Sequence, residues 1–385
     1  MAQRKSKDEM NTIKEQYSAM NTWSWSRYNS SLTDLYGYLL HYVLHIDEDQ
    51  VSSIYGSLGG CVHELLEEMH EGKITREEAI SRYNDTVMEL EILGQAFSRN
   101  DETQNDNIGR KYHLSNLHFL ENYTLREGEN AKLEEFITIN ISKQLFIGYV
   151  DYMYEKDGFL QIEDFKTSSI YTGEKILKEE GQLLLYSLGM IQQRWDINKL
   201  KVGWLFTKYC TAKIHMKNQS IRSSNIMRWE LGSKLRASAK GWLTDKKAPI
   251  KYSDIEVEAF LDELVEANDI KVLPKHIQEK FEILDCFVEI EVTQEKIDAL
   301  VEKMKHQIFK LVKLEMEYKK IKDDKLFWVD ITDKDSYFFQ NLCGYSRRLH
   351  KPYDDFLKNK EFSQGVKPVE DEIDIDQLLR DLDIE

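Results

Sequence analysis

Two acids and a lysine interrupt an otherwise apolar run, GFLQIEDFKT, at residues 158–167. The preceding stretch, FITINISKQLFIGYVDYMY, is equally rich in β-branched and aromatic residues, and Asp157 and Gly158 between the two predict a hairpin with a two-residue turn. In that register Asp151 faces Asp164. Directly opposed residues hold their Cβ atoms about 4.5–5.5 Å apart, and like charges so placed repel. A hard divalent cation, Mg²⁺ or Mn²⁺, would offset the repulsion, because such ions favour carboxylate and water oxygens. Strand alternation sets Lys166 on the face of Asp164, while Glu163 and Phe165 point away. The plainer alternative is an Asp164–Lys166 surface ion pair with Asp151 in solvent, since a DxK triplet is common. The neighbours Leu160, Ile162, Ile147, Tyr149 and Val150 argue for burial instead, where unpaired acids are costly.

Other elements must hold this hairpin. Residues 51–92 have apolar spacing of three and four, with Gly72 ending one helix and Thr75 capping the next ahead of Glu78. His63 lies on the first of these helices, four residues after Gly59. Residues 100–110 are polar and predict a loop. Residues 174–193 predict a helix on which Gln182 and Tyr186 share a face, a pair that taken alone reads as packing. LKVGWLFTKY and AKIHMK return to strand, and 222–243 and 255–322 read as mainly helical. The class is α/β with a helical C-terminal half.

The 385-residue chain, 41% hydrophobic and 11% aromatic, is long enough for one large core or two ordinary ones. The opening residues lack a secretory h-region and no apolar run reaches membrane-spanning length, so the expectation is no membrane association and a cytoplasmic location, or the host cytoplasm for a viral protein. Cys61, Cys210, Cys286 and Cys343 are scattered without CxxC spacing and suggest buried thiols. The net charge of −16 is unevenly spread. Between Lys201 and Lys251 the cations include Lys208, Lys213, Arg222, Arg228, Lys234, Arg236 and Lys240, against only Glu230 and Asp245. With Trp204, Trp229 and Trp242 interleaved, this segment suits single-stranded nucleic acid, although a solvated helix face has the same composition. Residues 369–385 are acidic, yet keep Ile375, Leu378, Leu379 and Leu382 at helical spacing, and predict a flexible tail that docks on a protein partner or shields the basic segment.

The order of these elements resembles the RecB-like branch of the PD-(D/E)XK nuclease superfamily. There a helix carries GxxxH, a strand GxxD, the next strand DxK, and a following helix QxxxY. They stand here as Gly59 to His63, Gly148 to Asp151, Asp164 to Lys166, and Gln182 to Tyr186. The segment at 23–43 is similar to the family's N-terminal SxSRL…CPxxY stretch, and FQNLCGYSRRLHKPY to its C-terminal cysteine-rich end.

The resemblance implies a restriction-endonuclease-like core, a mixed central sheet flanked by helices, with helical additions at both ends. It divides the chain into an extension at 1–22, a nuclease domain at 23–368 and the acidic tail at 369–385. His63, Asp151 and Asp164, with the Phe165 carbonyl, would bind the catalytic metal. Lys166 would position the attacking water and stabilise charge on the phosphate, Gln182 and Tyr186 would orient Lys166 or a substrate phosphate, and Glu135 would add a further carboxylate. Some members hold a 4Fe–4S cluster with four cysteines. Here Thr33 replaces the N-terminal one and only Cys343 remains at the other end, so the expectation is no cluster, with the two ends joined by packing alone.

The implied activity is metal-dependent DNA hydrolysis, as an exonuclease or flap-type endonuclease in replication, repair or recombination, in a cell or a phage. A non-catalytic DNA-binding or scaffolding subunit of a helicase–nuclease assembly is the alternative, disfavoured by the intact acids and lysine. No GxxxxGK[ST] motif supplies a motor. A glycosidase is disfavoured because such close carboxyls, with a lysine beside them, suit a cation better than a sugar ring.

Overall fold

In the computed structural model, which describes residues 5–17, 19, 21–50, 54–98, 101–248 and 250–363, the short strand β1 (Thr22–Trp23) is followed by β2 (Glu129–Ile141), β3 (Gln144–Lys156) and β4 (Phe159–Lys166). Two tight turns link the last three. Ser142 and Lys143 stand at φ 48° and 68°, and Asp157 and Gly158 at 53° and 75°. Both pairs have the positive φ that two-residue hairpins favour, because that twist matches the strands. The stretch read as one strand before the Asp157–Gly158 turn is therefore two. Ser142–Lys143 lacks the usual Asn-Gly signature, which is why the first turn escaped notice.

The second hairpin has the register its turn dictates, Lys156 facing Phe159 through to Tyr152 facing Glu163. There the ladder stops, one step short of Asp151 and Asp164. The Phe165 amide donates instead to the Asp151 carboxylate, Oδ2, at 2.7 Å.

β4 runs parallel to β5 (Leu200–His215), which pairs antiparallel with β6 (Ile221–Met227) and β7 (Phe281–Ile290). These last two strands correct the helical reading of 222–243 and 255–322. β6 is an exposed edge whose polar residues show no alternation, and the ten residues of β7 lie between helices. The polar residues at 100–110 are likewise not a loop throughout. They open a helix, Glu102–Asn122, whose N-terminus is capped by the Asp101 carboxylate accepting from the Gln104 amide at 2.8 Å.

β1 and β4 lie on the same edge of β3. β1 pairs with Leu145 and Phe146 and β4 with residues 152–156, so residues 147–151 have no strand neighbour on that side among the described residues. The helix Ile54–His70, here α1, packs Leu58, Val62 and Leu66 with Tyr112 and Phe119 against Tyr152, Phe165 and Leu205 of the sheet. A second helix, α2 (Gly181–Gln192), covers the other face, where Gly189 lies against Ile137 and Ile139 of β2. A third, α3 (Leu231–Leu243), closes a further core with Ile214, Leu235, Leu261 and Phe281.

The chain parts into two compact units, residues 1–29 with 52–313, and residues 30–51 with 314–385. Everything above belongs to the first. In the second, the Asp34 carboxylate and the His350 ring are buried and bonded at 3.0 Å, Tyr36 donates to Asp324 at 3.0 Å, and the Tyr345 hydroxyl donates to the Ile46 carbonyl at 2.9 Å. Thr33 and Cys343 line one small cavity beside these bonds. The two ends are thus joined by hydrogen bonds, that of Asp34 with His350 buried, as well as by packing, which corrects the expectation of packing alone. The acidic stretch 369–385 lies outside the described residues.

Candidate active site

The gap in the sheet opens a cleft of about 880 Å³ lined by Ile147, Gly148, Tyr149 and Asp151 of β3, Lys166 of β4, His63 and Glu67 of α1, and Gln182 and Tyr186 of α2. Each element is held there by a local fit. A Cβ on Gly59 would lie 3.2 Å from the Thr167 hydroxyl, so the glycine lets α1 approach the end of β4. A Cβ on Gly148 would lie 2.9 Å from the Tyr186 ring, so that glycine admits the tyrosine. The Tyr186 hydroxyl donates to the Tyr149 carbonyl at 2.9 Å and accepts from the Gln182 amide at 2.8 Å. A side chain from α2 thereby satisfies a backbone group beside the gap.

His63, Glu134 and Asp151 each present a ligand atom within 4.8 Å of the others. His63 Nδ1 stands 3.6 Å from Asp151 Oδ2. Asp164 is 2% exposed; its Oδ2 has no hydrogen bond of normal geometry and faces the Lys166 ammonium. Burial, and next the neighbouring Asp164, push the Asp151 carboxyl up to about 8. Burial and then Asp151 and Glu67 push Glu134 up to about 7. Burial pulls the His63 ring below its ordinary value, against the opposing pull of Asp164. Burial works against the Lys166 ammonium too, yet Asp164 and Asp151 outweigh it and hold the group charged, above its usual range. Two acids raised by burial and then by neighbouring carboxylates, beside an imidazole whose charging burial opposes, form a donor set that fits a hard cation.

The structure thus brings His63, Asp151, Asp164, Lys166, Gln182 and Tyr186 together. It does not bring Glu135. That side chain points away and pairs with Lys132 at 2.6 Å, and Glu134, one residue earlier, enters the cleft with φ 46°. The β2–β3 register, with Glu135 facing Val150, sets Glu134 opposite Asp151. Recognising the Ser142–Lys143 turn would have revealed it. Glu67 was missed as well, although it lies one helical turn after His63.

The basic segment is divided. Arg228 is 1% exposed, bonded to Asp285 at 2.6 Å and to the Tyr209 carbonyl at 2.9 Å, so it is no phosphate contact. Lys208 is buried over the Tyr112 ring, and burial pulls its ammonium down to about 8. Lys213 pairs with Glu282, Arg236 with Glu258 and Asp262, and Lys240 with Glu258. Trp204 is a core residue packed on Tyr171 rather than a stacking platform. Arg222 and Lys234 remain at the surface. Among the described residues no helix is long and apolar enough to cross a membrane.

A family model described as the PD-(D/E)XK nuclease superfamily matches residues 22–254, which include the whole lining of the cleft apart from Lys5 and Met10. No individually curated relative matches the chain.

Proposed function

We propose that this chain, which belongs to the PD-(D/E)XK nuclease superfamily, is a RecB-like nuclease that hydrolyses DNA with Mg²⁺ or Mn²⁺ held by His63, Asp151, Asp164 and Glu134. The observation that carries the reading is the convergence of His63, Glu134 and Asp151 within 4.8 Å beside the Asp164–Lys166 pair. The RecB-like assignment rests on the ordered GxxxH, GxxD, DxK and QxxxY set, of which His63, Gly148, Asp151, Lys166, Gln182 and Tyr186 line one cleft. When bound, the cation supplies a water of lowered pKa and offsets charge developing on the phosphate. Lys166, held charged by two carboxylates, orients the attacking water and donates to a phosphate oxygen. Tyr186 and Gln182 position β3 through the Tyr149 carbonyl and so set the place of Asp151; they act through that strand and not directly on Lys166. The rings of Trp25, Tyr149 and Tyr171 in the cleft wall offer stacking surfaces to unpaired bases, which favours single-stranded ends or flaps as substrate. Work on such ends belongs to replication, repair or recombination, in a cell or a phage.

The test is an assay of end-labelled single strands, duplexes and flaps with Mg²⁺ or Mn²⁺. Wild-type protein should cleave, and Asp164→Ala and Lys166→Ala should each lose at least about a hundredfold in rate while keeping the fold. Wild-type rates in either variant would remove the cleft from the chemistry.

A further inference from the structure

Four cations of the basic segment, Lys213, Arg228, Arg236 and Lys240, are neutralised by carboxylates within the protein, and three of the others gather in one place. Lys217, Arg222 and Lys234 line a groove of about 700 Å³ between the β5–β6 turn and α3, with Ile214 and Ala237 in its floor and Trp242 at its side. Arg222 donates to the Ser238 hydroxyl at 3.2 Å, and no carboxylate pairs with it among the described residues. Lys217 and Lys234 reach Asp245 and Glu230 only at 3.6 Å, and their side chains are 55% and 56% exposed. The Trp242 indole is fixed in place by donating to the His215 carbonyl at 3.0 Å, with the Lys217 and Lys280 ammonium groups 5.9 and 5.2 Å from the ring centroid.

This is not the cleft. β5 runs from Phe206, the register partner of Lys166, to Ile214 in the groove. The strand bulges beyond Phe206, so its eight residues to Ile214 face only five of β7, and at about 3.3 Å each those five set the two about 17 Å apart. We propose that the groove binds single-stranded nucleic acid as a second contact, remote from the reacting phosphate. Three weakly paired cations around an apolar floor match a phosphate backbone, and a fixed indole beside them gives a base a stacking surface, a use that an acidic peptide would not make of it. The choice of nucleic acid as occupant rests on the nuclease reading, whereas the groove itself does not.

The experiment measures binding of a labelled single strand of about 20 nucleotides by anisotropy over a salt series, in an Asp164→Ala background so that no cleavage intervenes. Replacing Lys217, Arg222 and Lys234 together by alanine should weaken binding roughly tenfold at physiological salt and reduce the log–log salt slope by about 2, near 0.7 for each lost phosphate contact. Arg222→Gln alone should reduce it by about 0.7, which keeps the test informative if the triple variant is unstable. An unchanged slope in both variants overturns the proposal. A synthetic peptide of residues 369–385 is the second arm. If the peptide binds in a groove-dependent way while strand binding ignores the three substitutions, the groove takes an acidic protein segment and the proposal is wrong. Groove-dependent strand binding by a wild-type protein that cleaves nothing would support the groove and sink the nuclease reading, so the two failures are distinct.

Discussion

The acids in the cleft are not interchangeable, and their titration should be visible in stability. Asp151 and Glu134 sit at about 8 and about 7 in the folded protein, mainly because both are buried, against about 4 in an unfolded chain. The folded state therefore binds protons more tightly. That stabilisation is complete below about pH 4 and is lost as pH rises through 7 to 8. In chelator, the melting temperature of the wild type should fall between pH 6 and pH 9 relative to Asp151→Asn, in which the strongest of these titrations is gone. Added Mn²⁺ should restore stability most at the alkaline end, where the ligands are deprotonated. Parallel profiles for the two proteins would show that Asp151 titrates normally. Glu134→Gln should weaken Mn²⁺ binding about 10- to 100-fold by calorimetry, whereas Glu135→Gln, whose partner is Lys132, should leave it unchanged. Equal effects would mean that the assignment between these adjacent acids is wrong.

At the scale of elements, α2 governs β3 through one tyrosine. Tyr186→Phe removes the donor to the Tyr149 carbonyl and should cost about 1–3 kcal/mol in urea denaturation. Gly148→Ala forces a methyl group to within 2.9 Å of the Tyr186 ring and should cost about 1–3 kcal/mol, with a loss of cleavage rate because Asp151 shifts with the strand. Much of this was legible beforehand. The Asp157–Gly158 turn fixed a register in which Asp151 approaches Asp164, and the GxxxH and QxxxY pairs named the helices that meet there. What escaped was whatever lacked a local signal. Ser142–Lys143 turns the chain without glycine or asparagine, so β2 merged with β3 and Glu134 fell out of register. β6 has no alternation because both its faces are exposed over most of its length. The fate of the basic segment was hidden for a different reason. Whether an arginine meets a phosphate or a carboxylate depends on residues distant in sequence, Asp285 for Arg228 and Glu258 for Arg236.

Across the first unit, those distant partners form a buried ionic chain. Arg126 joins Glu163 of β4, at 3.4 Å, to Asp285 of β7, at 3.2 Å, and Asp285 in turn holds Arg228. Truncating Arg228 to alanine leaves Asp285 with less of its compensation and should cost about 3–5 kcal/mol, read by denaturation. It should do so without a specific effect on the salt slope of nucleic-acid binding, and a stable variant with an altered slope would return Arg228 to the nucleic-acid surface. The interrupted edge of β3 has a consequence of another kind. A strand protected on both sides opens only with the whole sheet, but one side of residues 147–151 has no neighbouring strand among the described residues. The amides directed to that side should exchange with deuterium by local opening, orders of magnitude faster than those of the same strand bonded to β2. In the middle of its seven-stranded sheet, the protein should therefore carry a fast-exchanging island a few residues long, and its slowing would report an occupied cleft without any need for turnover.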